Sequence, residues 1–149
     1  MTESTKVFIH GNPETSAIWH LLVKELQRGG VAKVVRLSPP GFGSPTPAGW
    51  GATVVEYRDW LIGELEKING EIDLVAHDWG AGHVFNALAA RPNLVRSWAA
   101  DCVGLMHPDY EWHTNAKEWQ TPDVGEKAVA GMVAISDSDF VALFSALGM

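Results

Sequence analysis

The apolar positions of the chain change period along its length, and the changes separate strands from helices. Residues 6–10 form a short apolar run closed by Gly11-Asn12-Pro13, the pattern of a buried strand running into a tight loop. Trp19, Leu22, Val23 and Leu26 then share one helical face, and Gly29-Gly30 supplies a left-handed stop. Residues 31–37 are rich in β-branched side chains. They lead into Ser38-Pro39-Pro40-Gly41-Phe42-Gly43-Ser44-Pro45, where proline and glycine exclude regular structure. Thr53 and Glu56 have capping-box spacing, after which Val54, Tyr57, Leu61, Leu65 and Ile68 hold a second helical face until Gly70. Residues 72–76 read as a third strand, 79–90 as a helix stopped by Arg91-Pro92, and 94–100 as a fourth strand.

Alternating helices and near-continuous apolar strands imply the α/β class: a parallel sheet with helices on both faces. Beyond about Met106 the alternation stops, and Trp112, Trp119, Pro122 and Gly125 interrupt the pattern. Residues 136–147 then form a helix with Phe140, Leu143, Phe144 and Leu147 on one face. The chain thus reads as an α/β core over residues 1–106 and an appended helical segment over 107–149. Little remaining chain can cover that last stripe, and the fourth strand leaves an open sheet edge. A homo-oligomer or a complementary C-terminal polypeptide is expected to bury them.

Composition narrows the function classes. At 149 residues, with 46% hydrophobic and 19% charged positions, the chain suits one globular domain and excludes disorder and coiled coil. A net charge of -7 repels a phosphate backbone, so nucleic acid is not an expected partner. The first residues carry no cationic stretch before an apolar run, and no apolar stretch approaches the roughly 18 residues of a membrane span. A cytoplasmic protein with no membrane partner is expected. The single Cys102 excludes an internal disulfide and reads as a buried strand-end residue. Seven tryptophans against two tyrosines suit an indole-rich core and an apolar pocket.

The most specific chemistry lies in Leu74-Val75-Ala76-His77-Asp78-Trp79-Gly80-Ala81-Gly82: a strand, an abrupt turn and a helix. Small residues at 76, 80 and 81 flank Asp78 with the spacing of a nucleophile elbow, whose strained turn brings strand and helix close. The carboxylate would stand at the apex, and the Trp79 N–H at the helix start would face charge developing on a substrate. Alternatively, Asp78 simply caps the helix.

With His10-Gly11-Asn12-Pro13 after the first strand and Ser38-Pro39-Pro40-Gly41-Phe42-Gly43-Ser44 after the second, this elbow resembles the α/β-hydrolase fold. Within that fold it is similar to the haloalkane dehalogenase and epoxide hydrolase branch, whose nucleophile is Asp followed by Trp. The resemblance covers the N-terminal half of the family and implies that residues after about 106 begin a helical cap. Together with right-handed crossovers it places the second strand at one edge, then the first, third and fourth.

The resemblance implies an enzyme acting on a small apolar organic substrate with no cofactor and no metal. Asp78 would displace a halide through an alkyl-enzyme ester, with the Asn12 amide and Trp79 indole holding the halide. Turn stabilisation by Asn12 and packing by Trp79 are the alternatives. Water activated by a histidine would then hydrolyse the ester. In the family that histidine follows the last strand, and none of His10, His20, His77, His83, His107 and His113 corresponds to it. The side chain of His77 is expected to point away from the site. Asp101 occupies a position where some dehalogenases carry the acid that orients the base, though it could equally cap a loop. An epoxide hydrolase would need proton donors, and only Tyr57 and Tyr110 exist, Tyr57 on a core-facing position. A non-catalytic binding module is a further reading. A Rossmann-like nucleotide domain is disfavoured, because Gly11-Asn12-Pro13 is not a glycine-rich phosphate loop.

Overall fold

A computed structural model of the chain describes residues 3–102, 104 and 107–146, without the side chain of Phe144. It divides into two compact units, Met1–Gly104 and Leu105–Met149. In the first, β1 (Thr5–Ile9), β2 (Val34–Leu37), β3 (Ile72–His77) and β4 (Ser97–Asp101) form the parallel sheet that the alternation implied, ordered β2-β1-β3-β4 as the family resemblance and right-handed crossovers implied. Val7 pairs with Val35 on one side and Leu74 on the other, and Leu74 with Trp98.

The pleat sends alternate side chains to opposite faces, so β1 feeds two apolar layers. Val7, Ile9, Leu74 and Ala76 meet Leu61 and Leu65 of α2 (Val54–Glu66) and Ala81, Val84 and Ala87 of α3 (Trp79–Ala90). Phe8 turns the other way, onto Trp19 and Val23. Trp19 ends a 3-10 turn (Ser16–Trp19) that leads into α1 (His20–Arg28), and Gly30 supplies the left-handed stop. Leu22 is exposed rather than packed, so the buried stripe of α1 is narrower than its sequence pattern.

The Thr53–Glu56 capping box forms: Thr53 Oγ1 accepts from the Glu56 N–H, and the Glu56 carboxylate accepts from the Thr53 N–H. Val54, in the first turn, is exposed, and the buried face of α2 starts at Tyr57. β2 begins at Val34 rather than 31, and β4 at Ser97 rather than 94, because Leu94 closes a turn onto the Arg91 carbonyl. All of β4 except Ala100 is exposed, so the sheet's covering stops short of that edge.

The second unit contains α4 (Thr114–Trp119), α5 (Val124–Ala134) and α6 (Asp137–Ala146). The first two correct the expectation of an interrupted segment. Pro122 and Gly125 mark the corner between two helices. His113 Nδ1 accepts from the Ala116 N–H to cap α4, and at Gly125 a β-carbon would collide with the Trp119 carbonyl. Phe140 and Leu143 lie on α6 as expected, whereas Met106 and Leu147 fall outside the described residues. Among the described residues no helix is long and apolar enough to cross a membrane.

Candidate active site

Asp78 joins β3 to α3 in a conformation that L-residues rarely adopt, with φ 50° and ψ -126°. Strain of this kind costs of order 1–3 kcal/mol and persists only where the surroundings impose it. Here the cause is crowding. A β-carbon at Gly80 would lie 2.6 Å from the His10 carbonyl oxygen and 2.8 Å from that of Ile9, so only glycine lets α3 start this close to β1. Gly11 meets the same limit from the other side, since a β-carbon there would fall on the Asp78 carboxylate.

The Asp78 side chain does not cap its helix. Its Oδ2 accepts the backbone N–H of Asn12 at 3.1 Å, so the loop after β1 presents a main-chain donor to the carboxylate. The Asp78 N–H in turn donates to the Asp101 carbonyl at 3.2 Å, tying the elbow to the end of β4. Asn12 and Asp101 therefore both meet Asp78 through the backbone. The Asn12 side-chain Oδ1 is buried without a hydrogen-bond donor among the described residues. Trp79 is the first residue of α3 and is 41% exposed.

His77 does not simply turn away into packing. Its Nδ1 lies 2.7 Å from Asp101 Oδ1 and its Nε2 3.2 Å from Glu14 Oε1, while Trp19 meets the ring edge-on. Burial disfavours the imidazolium. The hydrogen bond to Asp101 and the charges of Glu14, Asp101 and Asp78 outweigh burial and raise the pKa above its ordinary value. Asp101 thus orients an imidazole of this same chain. Glu14, which the sequence reading missed, also accepts the Gly11 N–H at 3.1 Å. Its signal was its place one residue after the His10-Gly11-Asn12-Pro13 motif, but nothing local announces a partner 63 positions away.

Cys102 corrects another expectation: it is exposed, with φ 51°, just past β4. Burial and the surrounding carboxylates push its thiol pKa up, so the nucleophilic thiolate is disfavoured. Donor atoms of His77, Asp101 and Cys102 lie within 4.8 Å of one another.

The other histidines have different surroundings. His10 is fully buried, its Nδ1 2.8 Å from the Gly11 carbonyl, so that nitrogen carries the proton. His83 is buried on α3, stacked at 4.4 Å on Tyr57, whose hydroxyl donates to the Pro40 carbonyl. Burial drives the His83 pKa down to about 4, with Asp78 opposing and His10 assisting, so the ring is neutral near pH 7. His20 lies exposed on α1. In the second unit, His107 Nδ1 accepts from the Asp109 N–H and His113 caps α4. Trp19 packs on Phe8 and Trp50 on Tyr57.

Comparison with known proteins agrees with this fold. The sequence model of the alpha/beta hydrolase fold matches residues 7–147. A haloalkane dehalogenase from Mesorhizobium japonicum is 30% identical over 143 residues, covering 84% of this chain and 42% of that protein. An epoxide hydrolase from Caballeronia sordidicola is 35% identical over 91 residues, covering 58% of this chain and 27% of that protein. Among solved structures, haloalkane dehalogenase DbeA from Bradyrhizobium elkani superposes with a TM-score of 0.65 at 26% identity, covering 83% of this chain and 44% of that one. The chain spans less than half the length of the curated relatives it matches. Four parallel strands, a strained elbow after the third and a matching family model lead to one conclusion: the chain belongs to the alpha/beta hydrolase fold family.

Proposed function

We propose that Asp78 is the nucleophile of a haloalkane dehalogenase-type hydrolase to which this chain contributes the N-terminal half of the core and, over residues 107–149, the start of a cap. The observation that carries the reading is the strained Asp78 elbow, with one carboxylate oxygen held by the Asn12 N–H. A caboxylate used only as a helix cap would bond the first turn of α3, which this one does not.

The chemistry follows from that arrangement. Oδ1 attacks the halogen-bearing carbon, the carbon–halogen bond breaks, and the halide leaves with the bonding pair. The Asn12 side chain and Trp79 indole are the groups proposed to receive that charge. Water then adds to the ester carbonyl, where the Asn12 backbone N–H stabilises the oxyanion growing on Oδ2, and a base takes the water's proton as the alcohol departs. A halide needs no proton, which favours this reading over epoxide opening: the Tyr57 hydroxyl is already spent on the Pro40 carbonyl.

Of the histidines described in the first unit, His10, His77 and His83 already have partners and His20 lies exposed on α1, so attack is expected to outrun hydrolysis on this chain alone. Loss of a general base slows a step by ~10² to 10⁴-fold, long enough for the ester to accumulate. Incubation with a short bromoalkane is expected to add the alkyl mass to the peptide carrying Asp78, and Asp78→Asn to abolish it. Alkylation confined to other residues, or an adduct that survives Asp78→Asn, would overturn the reading.

A further inference from the structure

We propose that His77, as an imidazolium, is a positioning residue that holds the Gly11–Glu14 loop against the elbow by bridging Glu14 and Asp101. The bridge joins three chain segments distant in sequence: the loop after β1, the last residue of β3 and the last residue of β4. From Glu14 it continues to the Gly11 N–H, and the next amide, that of Asn12, donates to Asp78 Oδ2. His77 therefore acts on the carboxylate through the loop.

The protonation state follows from counting donors. Both ring nitrogens face a carboxylate oxygen, and carboxylates only accept. A neutral imidazole has one N–H, so it satisfies one carboxylate and turns a lone pair toward the other. Only the cation attracts both: Nδ1 hydrogen-bonds Asp101, and Nε2 meets Glu14 as an ion pair. The charged and titratable groups around the ring are Glu14 from the loop after β1, Asp101 and Cys102 at the end of β4, and Asp78 next to it in the chain. The carboxylates favour the cation, and the thiol is held protonated. On deprotonation the longer contact, to Glu14 at 3.2 Å, yields before the 2.7 Å contact to Asp101. Glu14 then no longer anchors the Gly11 and Asn12 amides beside Asp78.

This role rests on Asp78 as the nucleophile only in its effect on rate; the bridge itself is read independently. Across a pH series, NMR of the 149-residue chain follows the His77 ring and the Gly11 and Asn12 amides. Both amides are expected to shift with the His77 titration, whose midpoint lies above that of an ordinary histidine. In Glu14→Gln the midpoint falls and the amides no longer follow it. Bromoalkane trapping at Asp78 is expected to slow roughly tenfold as pH rises through that titration, because a displaced reacting group loses its alignment. In Glu14→Gln the trapping rate becomes flat with pH. Amides indifferent to the His77 titration, or unchanged coupling in Glu14→Gln, would overturn the proposal. Absence of adduct at every pH would sink the nucleophile reading alone, and the amide signals would then decide the bridge by themselves.

Discussion

Gly11 lies so close to Asp78 that a β-carbon at position 11 would occupy the space of the Asp78 side chain, contacting its Cβ at 2.5 Å and its Cγ at 2.7 Å. The neighbour is not the tip of a flexible side chain, because Asp78 is fixed by its strained backbone. Gly11→Ala is therefore expected to displace the carboxylate. A misplacement near 1 Å costs on the order of 10²-fold in rate, while overpacking costs about 1–3 kcal/mol of stability. Trapping kinetics should show the loss while circular dichroism shows a folded chain. Gly80→Ala meets backbone rather than side chain, so its larger effect falls on stability.

Much of this was legible in the sequence, for a physical reason. Apolar strand runs, period-3.6 helices and their glycine and proline stops are local, and they returned the parallel sheet and the start of α3 at Trp79, while the strand order came from the family resemblance and right-handed crossovers. The small residues around Asp78 likewise announced the elbow. The Glu14–His77–Asp101 bridge is non-local, joining positions that only the sheet order brings together, so no spacing rule reveals it. Cys102 was misjudged because burial at a strand end depends on whether the edge is covered, and β4 is exposed. The α4–α5 corner was read as irregular because proline and glycine break a helix and also join two.

The capping box of α2 is a measurable contribution. Thr53 and Glu56 satisfy each other's backbone N–H groups, and Glu56 also accepts the Gly51 N–H. Thr53→Ala is expected to cost about 1 kcal/mol, and for a chain of this size to lower Tm by roughly 2–4 °C. Thermal melts followed at 222 nm, a far-ultraviolet helix signal, check this, and no change in Tm would mean that packing of Leu61 and Leu65 alone holds α2.

Asp73, in β3, ties the strands together. Its carboxylate accepts from Ser4, Lys6, Arg96 and Ser97, and its side chain is only 15% exposed. Burial opposes the charge, but the hydrogen bonds from Arg96, Lys6, Ser97 and Ser4 hold its pKa well below the ordinary carboxylate range. A depressed acid stabilises above its unfolded pKa and loses that stability as pH falls toward the folded value. Asp73→Asn is expected to lower the urea midpoint at pH 7 and to flatten the stability loss below about pH 4.

His83 and His77 act in opposite pH windows. His83 has a folded pKa of about 4 against 6.5 when unfolded, so its contribution is complete above 6.5 and is lost as pH falls toward 4. That difference is roughly 3 kcal/mol. His77 is raised, so its contribution is complete below 6.5 and is lost as pH rises through its folded value. Urea midpoints should therefore fall on both sides of a maximum. His83→Phe, which keeps a ring against Tyr57, is expected to remove the His83 part of the acid-side slope, between pH 6.5 and about 4, and Glu14→Gln to reduce the slope on the alkaline side.

β4 pairs only with β3 among the described residues, and Trp98 on it is 52% exposed. In the second unit Val133 is 81% and Val141 64% exposed. An open strand edge that carries an exposed indole invites pairing with another chain, and natural edges avoid this by carrying charges, especially lysine. A second copy or a complementary polypeptide is therefore expected on β4, and light scattering across a concentration series should show a dimer or larger species. Trp98→Lys removes apolar surface and adds a gatekeeping charge while leaving the β3 ladder intact, so it should shift the population toward monomer. A monomer at every concentration in the unaltered chain would show that this edge is protected by its own twist and solvation.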